Sequence, residues 1–174
     1  MTLKDIQAIR HYSTDKQEPH HYLDIYDPFF APFKDKEALG VFEVGYATGG
    51  SIRLWEEYFT YAHIYCVDIN DTAFGKHSDR VKLDKKDINE LTSDWFDTPI
   101  DIAIDDGSHN GVDSVAFLKL MYPLVREGGM LIVEDIDDIE GGKRFFDPLN
   151  IPYIIVDLNH INNWKDSVLF IFLK

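Results

Sequence analysis

Val41-Phe42-Glu43-Val44-Gly45-Tyr46-Ala47-Thr48-Gly49-Gly50-Ser51 is an apolar strand that runs into a glycine-rich turn and then into an amphipathic segment. Glycine admits positive φ and lets a ligand approach without meeting a Cβ, and the start of the following helix offers unpaired N–H groups. The stretch predicts a ligand-binding strand-turn-helix. Twenty-three residues after Gly45, a second strand, His63 to Val67, ends in Asp68. In doubly wound folds an acid at this place holds hydroxyl groups of a ribose.

Two cofactor classes share these features. The dinucleotide fingerprint requires G-x-G-x-x-G, but Ala47 stands where its middle glycine belongs, and Glu43 lies two residues before Gly45. A carboxylate there would repel a pyrophosphate and suit the sulfonium and ammonium of S-adenosylmethionine. The alternative is that the glycines only make a tight turn and Glu43 pairs with a local lysine.

Alternating strand and helix signals follow. Strands are expected at Ala62–Asp68, Arg80–Leu83, Ile100–Asp105, Gly129–Glu134, Ile151–Val156 and Ser167–Leu173. Ile52, Trp55, Tyr58 and Phe59 mark one face of a first crossover helix. A second helix, from about Gly111 to Val125, is expected to be closed by Gly128-Gly129. This alternation predicts an α/β Rossmann-like fold with a mainly parallel seven-stranded sheet and helices on both faces. The segment 159–166 is too short for a full crossover, so the last strand is expected to be antiparallel. Residues 1–39 read as a lead-in or lid and 40–174 as the core, within one domain. Within the lead-in, Tyr22, Ile25 and Tyr26 have helical spacing, limited by Pro28 and Pro32. His20 and His21 carry no site assignment.

Composition sets bounds. The chain has 174 residues, 45% hydrophobic, with a formal net charge of −14 and one cysteine. Such charge opposes binding to phosphate backbones and anionic membranes. A lone cysteine excludes an intrachain disulfide. No apolar signal core or spanning run is evident, so a soluble, cytoplasmic chain, or a domain of something longer, is expected.

Ligands of open α/β sheets bind beyond the carboxyl ends of the strands. Those ends carry Glu43, Asp68, Asp84 and Asp87, then Asp105-Asp106-Gly107-Ser108-His109, then Glu134-Asp135. Acid pairs at two strand ends would repel one another unless a hard divalent cation, Mg²⁺, Mn²⁺ or Ca²⁺, relieved them. The bland alternative is that Asp106 and Asp135 cap the helices that follow. His109 is suited to act as a general base beside such a cluster, and is otherwise a turn histidine or a cap shared with Asn110.

These residues carry a resemblance. Thr14-Asp15-Lys16 with His20-His21-Tyr22, the Glu43/Gly45/Gly49-Gly50-Ser51 turn, Trp55, Phe59, Asp68, the D-D-G-S-H run and Gly128-Gly129 before Glu134-Asp135 cover most of residues 14–136. The chain resembles class I S-adenosylmethionine-dependent methyltransferases, and within them the metal-dependent macrocin and mycinamicin sugar O-methyltransferase family. The resemblance implies Mg²⁺ (or Mn²⁺) on Asp106, Glu134 and Asp135, with His109 as the base. It also implies methyl transfer to a hydroxyl of a sugar or other small natural product.

On the cofactor side, Glu43, Gly45, Gly49, Gly50 and Ser51 would hold the methionine portion and Asp68 the ribose. Asp87 is assigned to the adenine amino group, with Asp84 as its rival three residues away, and Asp105 joins this set. A homo-oligomer is compatible with the sequence. A nicotinamide-dependent oxidoreductase and a non-catalytic cofactor-binding module are the competing readings.

Overall fold

The computed structural model describes residues 1–70, 74–162 and 164–174. Seven strands form one sheet: β1 (Gly40–Val44), β2 (His63–Asp68), β3 (Val81–Lys85), β4 (Ile100–Asp105), β5 (Val125–Val133), β6 (Tyr153–Asp157) and β7 (Val168–Leu173). Their order is β3-β2-β1-β4-β5-β7-β6, and β7 runs antiparallel to both β5 and β6. The other neighbouring pairs are parallel. The expected architecture is thus found, with β4 bounded as expected and other strand boundaries displaced by at most four residues.

Alternation along the strands divides the apolar residues between two faces. Val41, Ile64, Cys66, Ile102, Ile104, Ile132, Leu169 and Ile171 pack into one cluster. Their sequence neighbours Phe42, Tyr65, Val67, Ala103, Leu131, Val133, Phe170 and Phe172 pack into the other. Because side chains of a strand alternate with period two, each buried strand needs a cover on both sides. The first face is covered by α1 (Leu3–Arg10), α2 (Tyr22–Phe30) and α3 (Gly50–Tyr58). The second is covered by α4 (Gly111–Leu124) and α5 (Ile139–Phe146), while α6 (Asn159–Asn162) is a single turn before β7.

The lead-in is tightly packed, and the end of α4 departs from expectation. Much of the lead-in belongs to the core: Leu3, Ile6, Tyr22, Leu23, Tyr26 and Phe30 are all buried in the first cluster. Amphipathic α1 and α2 have an apolar face that only the sheet layer can cover. Gly128-Gly129, expected to close α4, lies instead inside β5. The helix stops at Leu124, where Val125 N–H donates back to Met121 O. The glycines fall where the pairing of β5 with β4 shifts register, and Gly128 N–H donates to Lys174 O at 2.7 Å.

At the end of β1, Gly45 adopts φ +97°, and a Cβ there would lie 2.0 Å from the Asp106 carbonyl oxygen. This close approach lets the β1 turn and the loop after β4 share one edge of the sheet. Gly45→Ala is expected to destabilise the fold by about 1–3 kcal/mol or more. Gly128→Ala, also at positive φ but with nothing within 4 Å, should cost less. Equal losses in denaturant unfolding would show that the contact with Asp106 does not constrain the turn.

Candidate active site

The glycine turn and Asp68 form one unit. Asp68 Oδ2 accepts from the backbone N–H groups of Tyr46 (2.9 Å) and Ala47 (3.3 Å), and Oδ1 accepts from Asn70 N–H (2.8 Å). Burial would raise its pKa, but these backbone donors outweigh it and hold the carboxyl below its usual range. An ionised carboxylate has about four lone-pair sites, so Asp68 can organise the turn and still accept from a hydroxyl in the cleft. That cleft has a volume of about 780 Å³, within the range of small-molecule sites. Gly45, Gly50, Ser51, Asp68, Asp87, Asp105, Asp106 and His109 line it. Asp87 spends one oxygen on the Asn89 amide, while its rival Asp84 pairs with Lys86 and does not line the cleft.

Glu43 and Gly49 are placed differently from the sequence reading. Glu43 is fully buried and absent from the cleft lining; it accepts from Trp55 Nε1 and lies 3.4 Å from Lys16 Nζ. The argument from its repulsion of a pyrophosphate therefore loses its geometric basis. Strand alternation turns Glu43 to the face covered by α2 and α3, and the lysine that meets it comes from the lead-in. Gly49 faces Tyr46 rather than the cleft, because a Cβ on it would strike the Tyr46 ring and hydroxyl.

At the ends of β4 and β5, one ligand atom from each of Asp106, His109 and Asp135 lies within 4.8 Å of the others. His109 Nε2 stands 3.5 Å from Asp106 Oδ1 and 3.2 Å from Asp135 Oδ2. The capping alternative fails for both acids: Asn110 accepts from Val112 and Asp113 N–H to cap α4, and Asp138 accepts from Glu140 and Gly141 N–H to cap α5. Freed from capping, Asp106 and Asp135 face one another across His109. His109 (φ +55°) and Asp135 (φ +56°) both occupy the left-handed region, a local cost that packing must overcome.

Glu134 stands behind this group. Its two oxygens lie 2.9 and 2.7 Å from Lys16 Nζ, and Oε1 also accepts from Tyr26 Oη at 2.5 Å. Asp135 Oδ1 accepts from Tyr22 Oη at 2.7 Å. Sequence reading missed Lys16, Tyr22 and Tyr26 as site residues. The available signal was the i, i+4 spacing of the two tyrosines, which places both phenols on one face of α2. His20 is also buried, stacked on Tyr22 with Nδ1 2.9 Å from Ser167 Oγ.

Four carboxylates (Glu43, Asp106, Glu134, Asp135) face the Lys16 ammonium and the His109 imidazole, and His20 Nδ1 lies 3.8 Å from Asp135 Oδ1. Lys16 is driven well above its usual pKa: burial opposes its charge, but Asp106, Glu134 and Glu43 prevail. Burial pushes the Glu134 and Asp135 carboxyls up, and pushes Asp105 up to about 6. Asp106 is held low despite burial, by Lys16 and His109. Carboxylates outnumber the cationic groups that face them at Asp106 and Asp135, and the donors there are hard oxygens plus an imidazole. This set fits a divalent cation such as Mg²⁺ or Mn²⁺.

The hydrogen bond with Asp106, helped by Asp135 and opposed by burial, raises His109 to about 9. A histidine raised in the folded state stabilises the fold fully below its ordinary value of 6.5, and that stabilisation is lost as the pH climbs through about 9. Asparagine tolerates the same left-handed backbone, so His109→Asn isolates the charge. In chelator, the melting-temperature gap between wild type and variant should be wider near pH 6 than near pH 10. Equal gaps at the two pH values would show that the imidazolium pairs with neither acid.

Comparison with known proteins identifies the family and the fold. The family model described as "Methyltransferase domain" matches residues 42–136. The chain is 39% identical over 142 residues to the 8-demethyl-8-alpha-L-rhamnosyl tetracenomycin-C 2'-O-methyltransferase of Streptomyces olivaceus, covering 74% of this chain and 36% of that one. It is 29% identical over 173 residues to the demethylmacrocin O-methyltransferase of Streptomyces fradiae, covering 85% and 42%. The chain thus spans about two fifths of the length of these relatives. The MycE methyltransferase from the mycinamycin biosynthetic pathway, solved with Mg and SAH, superposes with a TM-score of 0.75 at 22% identity, over 100% of this chain and 55% of that one, a likeness of fold. Matched from within β1 to just beyond Asp135, through the turn, Asp68 and the D-D-G-S-H run, the chain belongs to the methyltransferase domain family.

Proposed function

We propose that this chain is the catalytic core of an S-adenosylmethionine-dependent, divalent-metal-assisted O-methyltransferase acting on a hydroxyl of a sugar or other small natural product. One observation carries the reading: Asp106 and His109, which converge with Asp135, line the same cleft as the glycine turn and Asp68. The relatives add support, being named as O-methyltransferases of a rhamnosyl tetracenomycin and of demethylmacrocin. Membership of a methyltransferase family leaves the nicotinamide alternative without support.

In this reading the Gly45–Ser51 turn receives the methionine portion, Asp68 accepts from the ribose hydroxyls, and Asp87 meets the adenine amino group. Asp105 lies buried beneath them. Asp106 and Asp135 would hold Mg²⁺ or Mn²⁺, and Glu134 could join only by giving up Lys16 and Tyr26. Such a cation, when bound, polarises an acceptor hydroxyl and lowers its pKa. With Asp106 and Asp135 engaged by a cation, His109 would lose the carboxylate interactions that keep it protonated up to about pH 9, and its neutral imidazole would take the proton from that hydroxyl. The oxygen forms a bond to the methyl carbon as the carbon–sulfur bond breaks, leaving adenosylhomocysteine. Holding both reactants in one cleft supplies much of the rate. The reading extends to a cytoplasmic protein, a homo-oligomer, and an acceptor other than nucleic acid, the last supported by the net charge of −14.

The test is transfer of a labelled methyl group to a panel of glycosylated acceptors, with and without chelator. Activity should disappear in chelator and return with Mg²⁺ or Mn²⁺. His109→Asn should lower turnover by roughly 10²–10⁴-fold with little change in cofactor affinity. Adenosylhomocysteine, but not NAD, should raise the melting temperature, since a ligand specific for the folded state stabilises it by mass action. Full activity in chelator would remove the metal, and stabilisation by NAD alone would remove the methyltransferase reading.

A further inference from the structure

Lys16 is a fully buried lysine from the segment between α1 and α2, and its partners come from the ends of three different strands. Its ammonium lies 2.7 Å from Asp106 Oδ2, 2.7 and 2.9 Å from the Glu134 oxygens, and 3.4 Å from Glu43 Oε1. A lysine loses a large hydration energy on burial, and only paired carboxylates can compensate it. The position of this residue is therefore dictated by the acidic cluster and not by its own sequence neighbours.

Those neighbours form part of the cofactor cleft. Tyr12, Ser13, Thr14, Asp15 and Glu18 line it, together with the glycine turn. The approach is close: Thr48 Oγ1 donates to Ser13 O at 2.9 Å, and a Cβ on Gly50 would lie 1.9 Å from that same carbonyl oxygen. Residues 12–18 thus press directly on the turn that is to hold the methionine portion. On one side of this segment α1 is packed on the core; on the other, Leu23 N–H donates to Lys16 O at 3.2 Å. Of the side chains from 12 to 18, Lys16 alone is fully buried.

We propose that Lys16 is a positioning residue that ties one wall of the cofactor cleft to the acidic cluster. By holding Asp106 and Glu134, its ammonium fixes residues 12–18 against the glycine turn. The same bonds occupy both oxygens of Glu134 and leave Asp106 Oδ1, Asp135 Oδ2 and His109 as the convergent group. The cofactor end and the acidic end of the site therefore share a single internal counter-ion. This inference deepens the methyltransferase reading and rests on it for the identity of the ligand, but the mechanical link can be measured without any ligand.

Hydrogen exchange of the ligand-free protein in chelator provides that measurement, with Lys16→Met as the variant that keeps the apolar stem and removes the charge. Amides of residues 12–18 should exchange on the order of 10-fold faster or more, beyond any change in α3 and α4, because the segment opens locally once its buried ion pair is gone. Adenosylhomocysteine affinity, measured by calorimetry in the same chelating buffer, should fall by a similar factor. If Lys16→Met does not fold, Glu134→Gln keeps the side-chain shape, weakens the pair, and should give the same pattern at smaller amplitude. Exchange that accelerates uniformly over the whole chain, or unchanged exchange in 12–18, would make Lys16 a global stabiliser and overturn the proposal. Failure of the wild type to bind adenosylhomocysteine would instead count against the proposed function, while the exchange result would still decide the role of Lys16.

Discussion

A single buried ammonium set among three carboxylates is the interaction on which the arrangement of this site depends. Lys16 arrives from the lead-in, Glu43 from β1, Asp106 from the loop after β4, and Glu134 from the end of β5. Removing one partner from a buried ion pair costs about 3–5 kcal/mol, because the remaining charge is left without solvent or counter-ion. This gives the lead-in and three strands a strong reason to stay in register at one end of the sheet. Tyr26 and Trp55 complete the cluster by donating to Glu134 and Glu43.

The parallel sheet turns this local chemistry into an active-site geometry. Parallel strands place their carboxyl ends on one edge, and loops leaving that edge bring together residues far apart in sequence. Gly45 meets Asp106 across 61 residues, and Asp68 orders the turn that begins at Gly45. Asn110 and Asp138 satisfy the starts of α4 and α5, which releases Asp106 and Asp135 for other partners. The two positive-φ residues of the cluster, His109 and Asp135, are of types that tolerate the left-handed region, so aiming both side chains at one point carries a modest backbone cost.

Electrostatically, the cleft has two parts. Around Asp68, backbone amides supply positive ends of dipoles and keep a carboxylate ionised without any cation. Around Asp135 and Glu134, burial and mutual repulsion push the carboxyls upward, and Lys16 with His109 compensates only part of the charge. The first part suits neutral hydroxyl groups, and the second suits a cation and a proton acceptor. That division follows from the donors each strand end finds, backbone amides after β2 and the Lys16 ammonium after β4 and β5.

The strand–helix alternation, the antiparallel return of the last strand, the glycine turn and the gathering of acids at strand ends are all legible in the residues alone. All of these rest on local periodicity, on turn chemistry and on the rule that parallel strands share one carboxyl edge. The sequence left Asp84 and Asp87, three residues apart, as rivals; in the structure Asp84 lies within β3 and pairs with Lys86, whereas Asp87 follows the strand and lines the cleft. Only the folded chain shows that Glu43 faces inward to Trp55 and Lys16, that Glu134 is held by Lys16 and Tyr26, and that the lead-in contributes both core residues and one wall of the cleft. The partners of Lys16 lie up to 118 residues away in sequence. Which carboxylates such an ammonium satisfies is fixed by the shared burial of distant segments, a property that no local pattern of residues contains.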